Sequence, residues 1–341
     1  MCNFSLNLTS MKITFFSAKP YDKLFFEEEN RKYGFELTFL ETHLGPHIVN
    51  AITNEDAVCV FVNDKVNREV IKILAQKGVK IIALRCAGFN NVDLEAAKEF
   101  GIKVCRVPAY SPEAVAEHTM AMLLTLNRKT HKAYNRVREQ NFALNGLLGF
   151  NLFQKTVGVV GTGKIGKAFI KIAQGFGCKI LAYDLFPDPF LVEQGVTYVD
   201  LETMFKQSDI ISLHCPLTPD NHYLINEETI GLMKDGVTII NTSRGGLINT
   251  SDAIVALKNQ KIGYLGIDVY EQEEKLFFKD LSAEIIQDDT IQRLMSFPNV
   301  LVTAHQAFFT EEALEQISAI TLKSISDIEK VGTTDEVVLL A

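Results

Sequence analysis

Thr156-Val157-Gly158-Val159-Val160-Gly161-Thr162-Gly163-Lys164-Ile165-Gly166-Lys167-Ala168-Phe169 is the stretch from which the fold reads outward. Thr156–Val160 is a short β-rich apolar run, the pattern of a buried strand. It leads straight into a G-x-G-x-x-G, Gly161 to Gly166. Beyond it Ile165, Ala168, Phe169, Ile172, Ala173 and Phe176 recur at helical spacing, one face packing on a sheet. Gly175 and Gly177 stop that helix. The next strand, Lys179–Tyr183, runs into Asp184, 18 residues past Gly166. Alone the glycine motif is weak; strand, helix and acid in register specify a dinucleotide-binding βαβ unit. Gly161 permits the tight turn, Gly163 lets a pyrophosphate approach the backbone, and Gly166 lets helix and strand pack closely. The N–H groups of Lys164 and Ile165, with the helix dipole, face the pyrophosphate. Asp184 can accept from both ribose hydroxyls and would repel a 2′-phosphate. No Arg follows it at once, so NAD is expected rather than NADP.

Working outward, short apolar runs alternate with helical patterns on both sides, the signature of an α/β fold with parallel sheets. The strands expected after the motif are Ile210–Leu213, Val237–Asn241, Tyr264–Asp268 and Val300–Thr303; a last helix runs from Thr310 to about Glu329. Before it stand Lys12–Phe16, Glu36–Phe39, Ala57–Val62, Ile81–Leu84 and Lys103–Arg106, with helices at Lys65–Gln76 and Leu94–Phe100. Ser111-Pro112 opens a long helix, with Ser as N-cap and Pro in the first turn. Its run from Ala114 to Leu126 is apolar on nearly every face, so burial all round is expected, at a domain junction or a subunit interface. The basic stretch Arg128–Arg138 that follows reads first as a solvated face.

A chain of 341 residues suits two domains of ordinary size. Hydrophobic residues make up 47% and charged residues 22%, which excludes whole-chain disorder. Lys and Arg total 34 against 42 Asp and Glu, a net charge of -8. That balance argues against nucleic acid or an anionic membrane as partner. It leaves small anionic substrates open, since these need only one or two local cations. No apolar run is long enough to span a membrane, and Met1 to Ser10 do not read as a signal peptide. Residues 1–10 look like an N-terminal appendage before Met11. The six cysteines are scattered, with no C-x-x-C, so free thiols in a reducing cytoplasm are expected. No metal-ligand cluster is visible.

Three segments at strand ends carry candidate reacting groups. Asn241-Thr242-Ser243-Arg244-Gly245-Gly246 sets a guanidinium where it can hold a carboxylate by two parallel bonds. Gly266-Ile267-Asp268-Val269-Tyr270-Glu271-Gln272-Glu273 offers three acids. Thr303-Ala304-His305-Gln306-Ala307-Phe308-Phe309 ends the last strand with an imidazole. Parallel strands bring their carboxyl ends to one side. A carboxylate beside His305 would fix its tautomer and favour its charged form, as a proton donor to a ketone requires.

At this point the sequence resembles the NAD-dependent D-2-hydroxyacid dehydrogenases, and within them the fermentative D-lactate branch. The resemblance runs from about Met11 to the C-terminus. It rests on Arg85-Cys86-Ala87-Gly88-Phe89-Asn90-Asn91-Val92-Asp93, Val107-Pro108-Ala109-Tyr110-Ser111-Pro112, Gly161–Gly166, His214-Cys215-Pro216-Leu217-Thr218, Asn241–Gly246, Asp268–Glu273 and Thr303–Thr310. It implies that Arg244 binds the substrate carboxylate, that His305 is the acid/base and that Glu273, five residues past Asp268, is its partner. It implies that Asp268 lies near the nicotinamide and that Cys215, Pro216, Asn221, Thr242 and Ser243 line the NAD cleft. The backbone at Ala87 and Gly88 would donate to the substrate carboxylate, with Tyr110 adding a hydroxyl and Phe308 an apolar wall. Phe61 would lie at the pocket for the methyl group.

The resemblance also implies the fold: two Rossmann-like or flavodoxin-like parallel-sheet α/β domains with a cleft between them. The substrate domain would be discontinuous, 11–110 with 308–341, around an NAD-binding Rossmann domain of 111–307. The helix from Ser111 and the stretch after it correspond to the family's subunit interface, so a homo-oligomer, dimer or tetramer, is implied. Asn90 stands where the wider family has Asp. Glu274-Lys275 replaces the Pro that often follows the catalytic Glu, and His305 lacks the usual Gly-rich turn. The last two departures are typical of the lactate branch. The implied activity is reversible reduction of pyruvate to D-lactate with NADH. The alternatives are a reductase of bulkier 2-keto acids, of the D-2-hydroxyisocaproate type, and a non-catalytic NADH-sensing corepressor-like scaffold.

Overall fold

The structure, a computed structural model, describes residues 10–334. The expected appendage lies outside the described residues except for Ser10, whose hydroxyl donates to the Gly34 carbonyl. The chain divides into two compact units. Residues up to Ser111 join those from Phe309 onward in one; Pro112–Phe308 form the other.

The first unit is built on a five-stranded parallel sheet. Its elements run β1 (Lys12–Phe15), α1 (Pro20–Asn30), β2 (Glu36–Phe39), β3 (Ala57–Val60), α2 (Arg68–Gln76), β4 (Ile81–Leu84), α3 (Leu94–Glu99) and β5 (Lys103–Arg106), followed by the chain's last helix, Glu311–Val331. The strand order is β2-β1-β3-β4-β5. β3 and β4 are buried at every position, as central strands covered on both faces must be. α2 and α3 pack their apolar stripes on one face, around Val70, Ile71, Leu74, Ala96 and Ala97. α1 and the last helix pack against one another, with Phe26 edge-on to Phe15 at 4.6 Å.

The second unit opens with α4 (Pro112–Arg128) and α5 (Thr130–Arg138). Then come β6 (Thr156–Val160), α6 (Lys164–Gly175), β7 (Lys179–Tyr183), α7 (Pro189–Glu193), β8 (Thr197–Tyr198), α8 (Leu201–Gln207) and β9 (Ile210–Leu213). The unit ends with α9 (Glu227–Leu232), β10 (Val237–Asn241), α10 (Thr250–Lys258), β11 (Ile262–Ile267), α11 (Asp289–Met295) and β12 (Val300–Val302). The seven strands are parallel in the order β12-β11-β10-β9-β6-β7-β8. The winding reverses between β6 and β9, and crevices for ligands open outside the carboxyl ends at such a point. α4 and α6 cover one face with Met120, Leu123, Phe169 and Ile170; α8, α9 and α10 cover the other with Met204, Ile230 and Leu257.

The fold class agrees with the sequence reading; one detail differs. β8, only two residues long, is too short for a periodicity to show. Within the single chain α4 leaves one stripe exposed, Glu113, Glu117, Ala121 and Arg128. Two carboxylates one turn apart on a helix resist desolvation.

Candidate active site

The turn from β6 into α6 is built as its glycines require. Gly161 has φ +94°, and a Cβ there would lie 2.7 Å from the Cys215 nitrogen. A Cβ on Gly166 would come within 2.0 Å of the Gly161 oxygen. Both are close approaches of backbone to backbone. Gly163 differs: nothing lies within 4 Å of a Cβ placed on it. It is the N-cap of α6 and supplies no side-chain cap, so the N–H groups of Lys164 and Ile165 have no intrahelical acceptor. Open space over uncapped N–H groups at a helix N-terminus fits a pyrophosphate.

Asp184 follows β7. Its Oδ2 accepts from the Thr162 N–H at 2.6 Å and the Thr162 hydroxyl at 3.0 Å, and its Oδ1 from the Phe186 N–H at 2.9 Å. Burial alone would raise this carboxyl, but the donors outweigh it and hold it below the usual range. An ionised acid beside the glycine turn suits neutral ribose hydroxyls and repels a phosphate, so the residues present fit NAD. Cys215, Pro216, Asn221 and Ser243 are brought together across the ends of β9 and β10. The Ser243 hydroxyl donates to the Cys215 carbonyl at 2.6 Å, and the Asn221 amide to the Pro216 carbonyl at 2.7 Å. Burial pushes the Cys215 thiol up to about 11, so it stays protonated. Thr242 is buried and shares a 2.8 Å hydrogen bond with Thr119 on α4.

The reacting candidates follow neighbouring strands. Arg244 lies beyond β10, half-buried, with one guanidinium nitrogen on the Ser243 carbonyl at 2.7 Å. A Cβ on Gly245 would fall 2.1 Å from the Tyr270 carbonyl carbon, so the loops after β10 and β11 rest backbone on backbone. That contact fixes Arg244 relative to the acidic segment. Of the three acids there, Glu273 meets His305: its Oε1 is 2.7 Å from Nδ1, while its Oε2 accepts from the Tyr270 N–H at 2.9 Å. Glu271 points elsewhere and accepts from the Tyr223 hydroxyl at 2.8 Å. Asp268 is fully buried. Burial would raise its carboxyl too, but His118, the Thr303 hydroxyl and the N–H groups of Ala307 and Gln306 bring it below the usual range.

Those donors explain an unusual backbone. His305 sits at φ +52°, a left-handed conformation that costs a non-glycine residue free energy. Its N–H donates to the Asp268 carbonyl at 2.7 Å, and the next two N–H groups reach the Asp268 carboxylate at 2.9 Å each. The turn is therefore clamped on both sides of the imidazole. His118, on α4, was missed by sequence reasoning. Its Nε2 lies 3.2 Å from the Thr303 hydroxyl and 3.5 Å from Asp268 Oδ1. The signal available was a histidine and a glutamate inside an otherwise apolar helix.

Among residues expected to touch substrate, Ala87 and Gly88 are half-buried in the loop after β4, and the Ala87 carbonyl accepts from Arg106 at 2.6 Å. Tyr110 is half-buried in the first unit, and Phe308 is buried in the second.

Residues 120–307 match the family described as "D-isomer specific 2-hydroxyacid dehydrogenase, NAD binding domain". The chain is 56% identical over 320 residues to the D-lactate dehydrogenase of Escherichia coli K12, covering 94% of this chain and 97% of that one. The apo-structure of D-lactate dehydrogenase from Escherichia coli matches with a TM-score of 0.89 at 52% identity, over 96% of this chain and 100% of that one. The pyruvate reductase of Chlamydomonas reinhardtii matches with a TM-score of 0.89 at 45% identity, over 93% of this chain and 96% of that one. The chain thus belongs to the D-isomer specific 2-hydroxyacid dehydrogenases, as an NAD-dependent oxidoreductase.

Proposed function

We propose that this enzyme reduces pyruvate to D-lactate with NADH, reversibly. The observation that carries the reading is the 2.7 Å bond between His305 Nδ1 and Glu273 Oε1, beside the strand end that bears Arg244. Likeness over nearly the full length to the D-lactate dehydrogenase of Escherichia coli supports the substrate.

NAD, when bound over the glycine turn, supplies or accepts the hydride. The guanidinium of Arg244 holds the substrate carboxylate as a fork and draws electron density from the neighbouring keto group. Glu273 takes the Nδ1 proton as a hydrogen bond, which fixes the tautomer and leaves Nε2 as the atom that gives and takes the moving proton. It also stabilises the imidazolium, the form needed to protonate a forming alkoxide. In the same proposal the Ala87 and Gly88 N–H groups and the Tyr110 hydroxyl donate to the carboxylate, Phe308 and Phe61 border the methyl group, and Asp268 lies near the nicotinamide. His305→Ala should lower pyruvate-dependent NADH oxidation by roughly two to four decades. Near-normal turnover in that variant, or L-lactate on chiral analysis of the wild-type product, overturns the proposal.

We also propose a homo-oligomer in a reducing cytoplasm. Tyr134 is 61% exposed, Phe142 73%, Leu144 80% and Leu148 87%, a large apolar set on one short segment. Burial raises the Cys59, Cys105, Cys178 and Cys215 thiols, which keeps them protonated. Among the described residues no helix is long and apolar enough to cross a membrane. A monomer in sedimentation at micromolar concentration removes the oligomer.

A further inference from the structure

Asp184 is the end of a directed chain of hydrogen bonds that the cofactor motif does not require. The Asp188 N–H donates to the Tyr198 hydroxyl at 3.0 Å. That hydroxyl donates to the Thr162 Oγ1 at 3.0 Å, which in turn donates to Asp184 Oδ2 at 3.0 Å. A backbone N–H can only donate and a carboxylate only accept, so both hydroxyls between them have one orientation that satisfies every bond. Such a chain polarises its members and leaves the last acceptor little freedom. The members come from the cap of α7, from β8, from the glycine turn and from the end of β7. Asp188 is itself paired with Lys167, so the start of the chain is held by charge as well.

A fixed carboxylate favours two ribose hydroxyls, each with a proton to give. A 2′-phosphate has none and carries charge of the same sign. Beyond Asp184 lies an open hollow of about 520 Å³, bordered by Tyr183, Pro187, Tyr198 and a second acid, Asp200. Asp200 caps α8, and bonds from the Thr203 backbone and hydroxyl hold its carboxyl below the usual range. A phosphate passing Asp184 would meet a second ionised carboxylate there.

We infer that Tyr198 and Thr162 are positioning residues that set the preference for NADH over NADPH by fixing the Asp184 carboxylate. This rests on Asp184 holding the adenosine ribose. The test is calorimetric titration of NADH and NADPH into the wild type and into Tyr198→Phe, Thr162→Val, Thr162→Ser and Asp184→Asn. Loss of either hydroxyl breaks two links of the chain and should weaken NADH by roughly three- to tenfold in Tyr198→Phe and Thr162→Val. NADPH, which draws nothing from the acid, should bind as weakly as before. Thr162→Ser keeps the hydroxyl and should restore NADH affinity. Unchanged NADH binding in Tyr198→Phe overturns the inference. So does equal weakening of both cofactors, the mark of a packing defect. If Asp184→Asn leaves both affinities unchanged, the ribose role of Asp184 falls with it. If Asp184→Asn weakens NADH while Tyr198→Phe does not, only the positioning chain is wrong.

Discussion

Each unit has an arginine just beyond a strand of its parallel sheet, and the two are used in opposite ways. Arg85, directly after β4, is 2% exposed. Its Nε stands 3.3 Å from Asp22, one terminal nitrogen donates to the Ser17 carbonyl at 2.8 Å, and its guanidinium lies 5.0 Å over the Phe61 ring. Arg244, beyond β10, is half-buried, and one guanidinium nitrogen donates to the adjacent Ser243 carbonyl. Among helix starts the exception is α6 rather than its unit: Asp188, Asp200, Asn226, Asn249 and Asp288 cap α7 to α11 with their own side chains. Asn67 and Asp93 do the same for α2 and α3 in the first unit, while α6 begins at a bare glycine. One architecture thus buries its strand-end arginine in the first unit and leaves one half-exposed, within reach of a ligand, in the second. A binding site, on this view, is marked less by the presence of charge than by charge left accessible from outside the fold.

The contrast can be broken at several points. The largest effect is expected at Arg85. Arg85→Met strands the buried Asp22 carboxylate and should cost about 3–5 kcal/mol of stability, read from urea unfolding. A change under about 1 kcal/mol would mean the pair is not structural. Arg244→Lys should do the reverse. It keeps the charge but loses the fork, so kcat/KM for pyruvate should fall by roughly two to three decades with the unfolding midpoint unmoved. A fall of only a few-fold would show that no bidentate clamp operates. Gly163→Asp would give α6 the cap it lacks and fill the anion position with a carboxylate. NADH affinity should drop roughly tenfold or more while thermal stability holds or rises. Unaltered NADH binding would place the pyrophosphate elsewhere.

The smallest effect concerns two buried carboxylates. Asp64 is pushed up from its ordinary 3.8 by burial, despite bonds from the Phe61 N–H, the Ser17 hydroxyl and the Leu44 N–H. The folded chain therefore takes up this proton first, and the group's contribution to stability is full below 3.8 and falls as pH rises through the folded value. Asp268 is held down, so its contribution is present above 3.8 and is lost as pH falls through the folded value. The advantage of wild type over Asp64→Asn should thus shrink as pH rises above about 4. The advantage over Asp268→Asn should shrink on acidification below about pH 4. Parallel pH profiles for the two variants would refute the assignment.

What was legible in the sequence was local. β6, the glycine turn, α6 and the strand before Asp184 all fall within one run of chain, and their periodicity and spacing carry the α/β class. The central strands announce themselves as unbroken apolar runs because both faces are covered. The pairing of Glu273 with His305, rather than Glu271, came from the family resemblance; the residues alone left three acids open. What was not legible joins distant segments. His118 reaches Thr303 across 185 positions, and Tyr198 reaches Thr162 across 36. No spacing rule reports such contacts.

The clamp beneath His305 carries a consequence for which sequences this turn can tolerate. Asp268 grips the turn through the N–H groups of residues 306 and 307, and a backbone N–H is the same whatever side chain it carries. Position 306 is exposed, so natural or designed relatives can vary there almost without limit. Proline alone has no hydrogen to offer. The neighbour of the acid/base is thus written in a permissive alphabet with one forbidden letter. Gln306→Pro should stand out from every other exchange at that site in a saturation library.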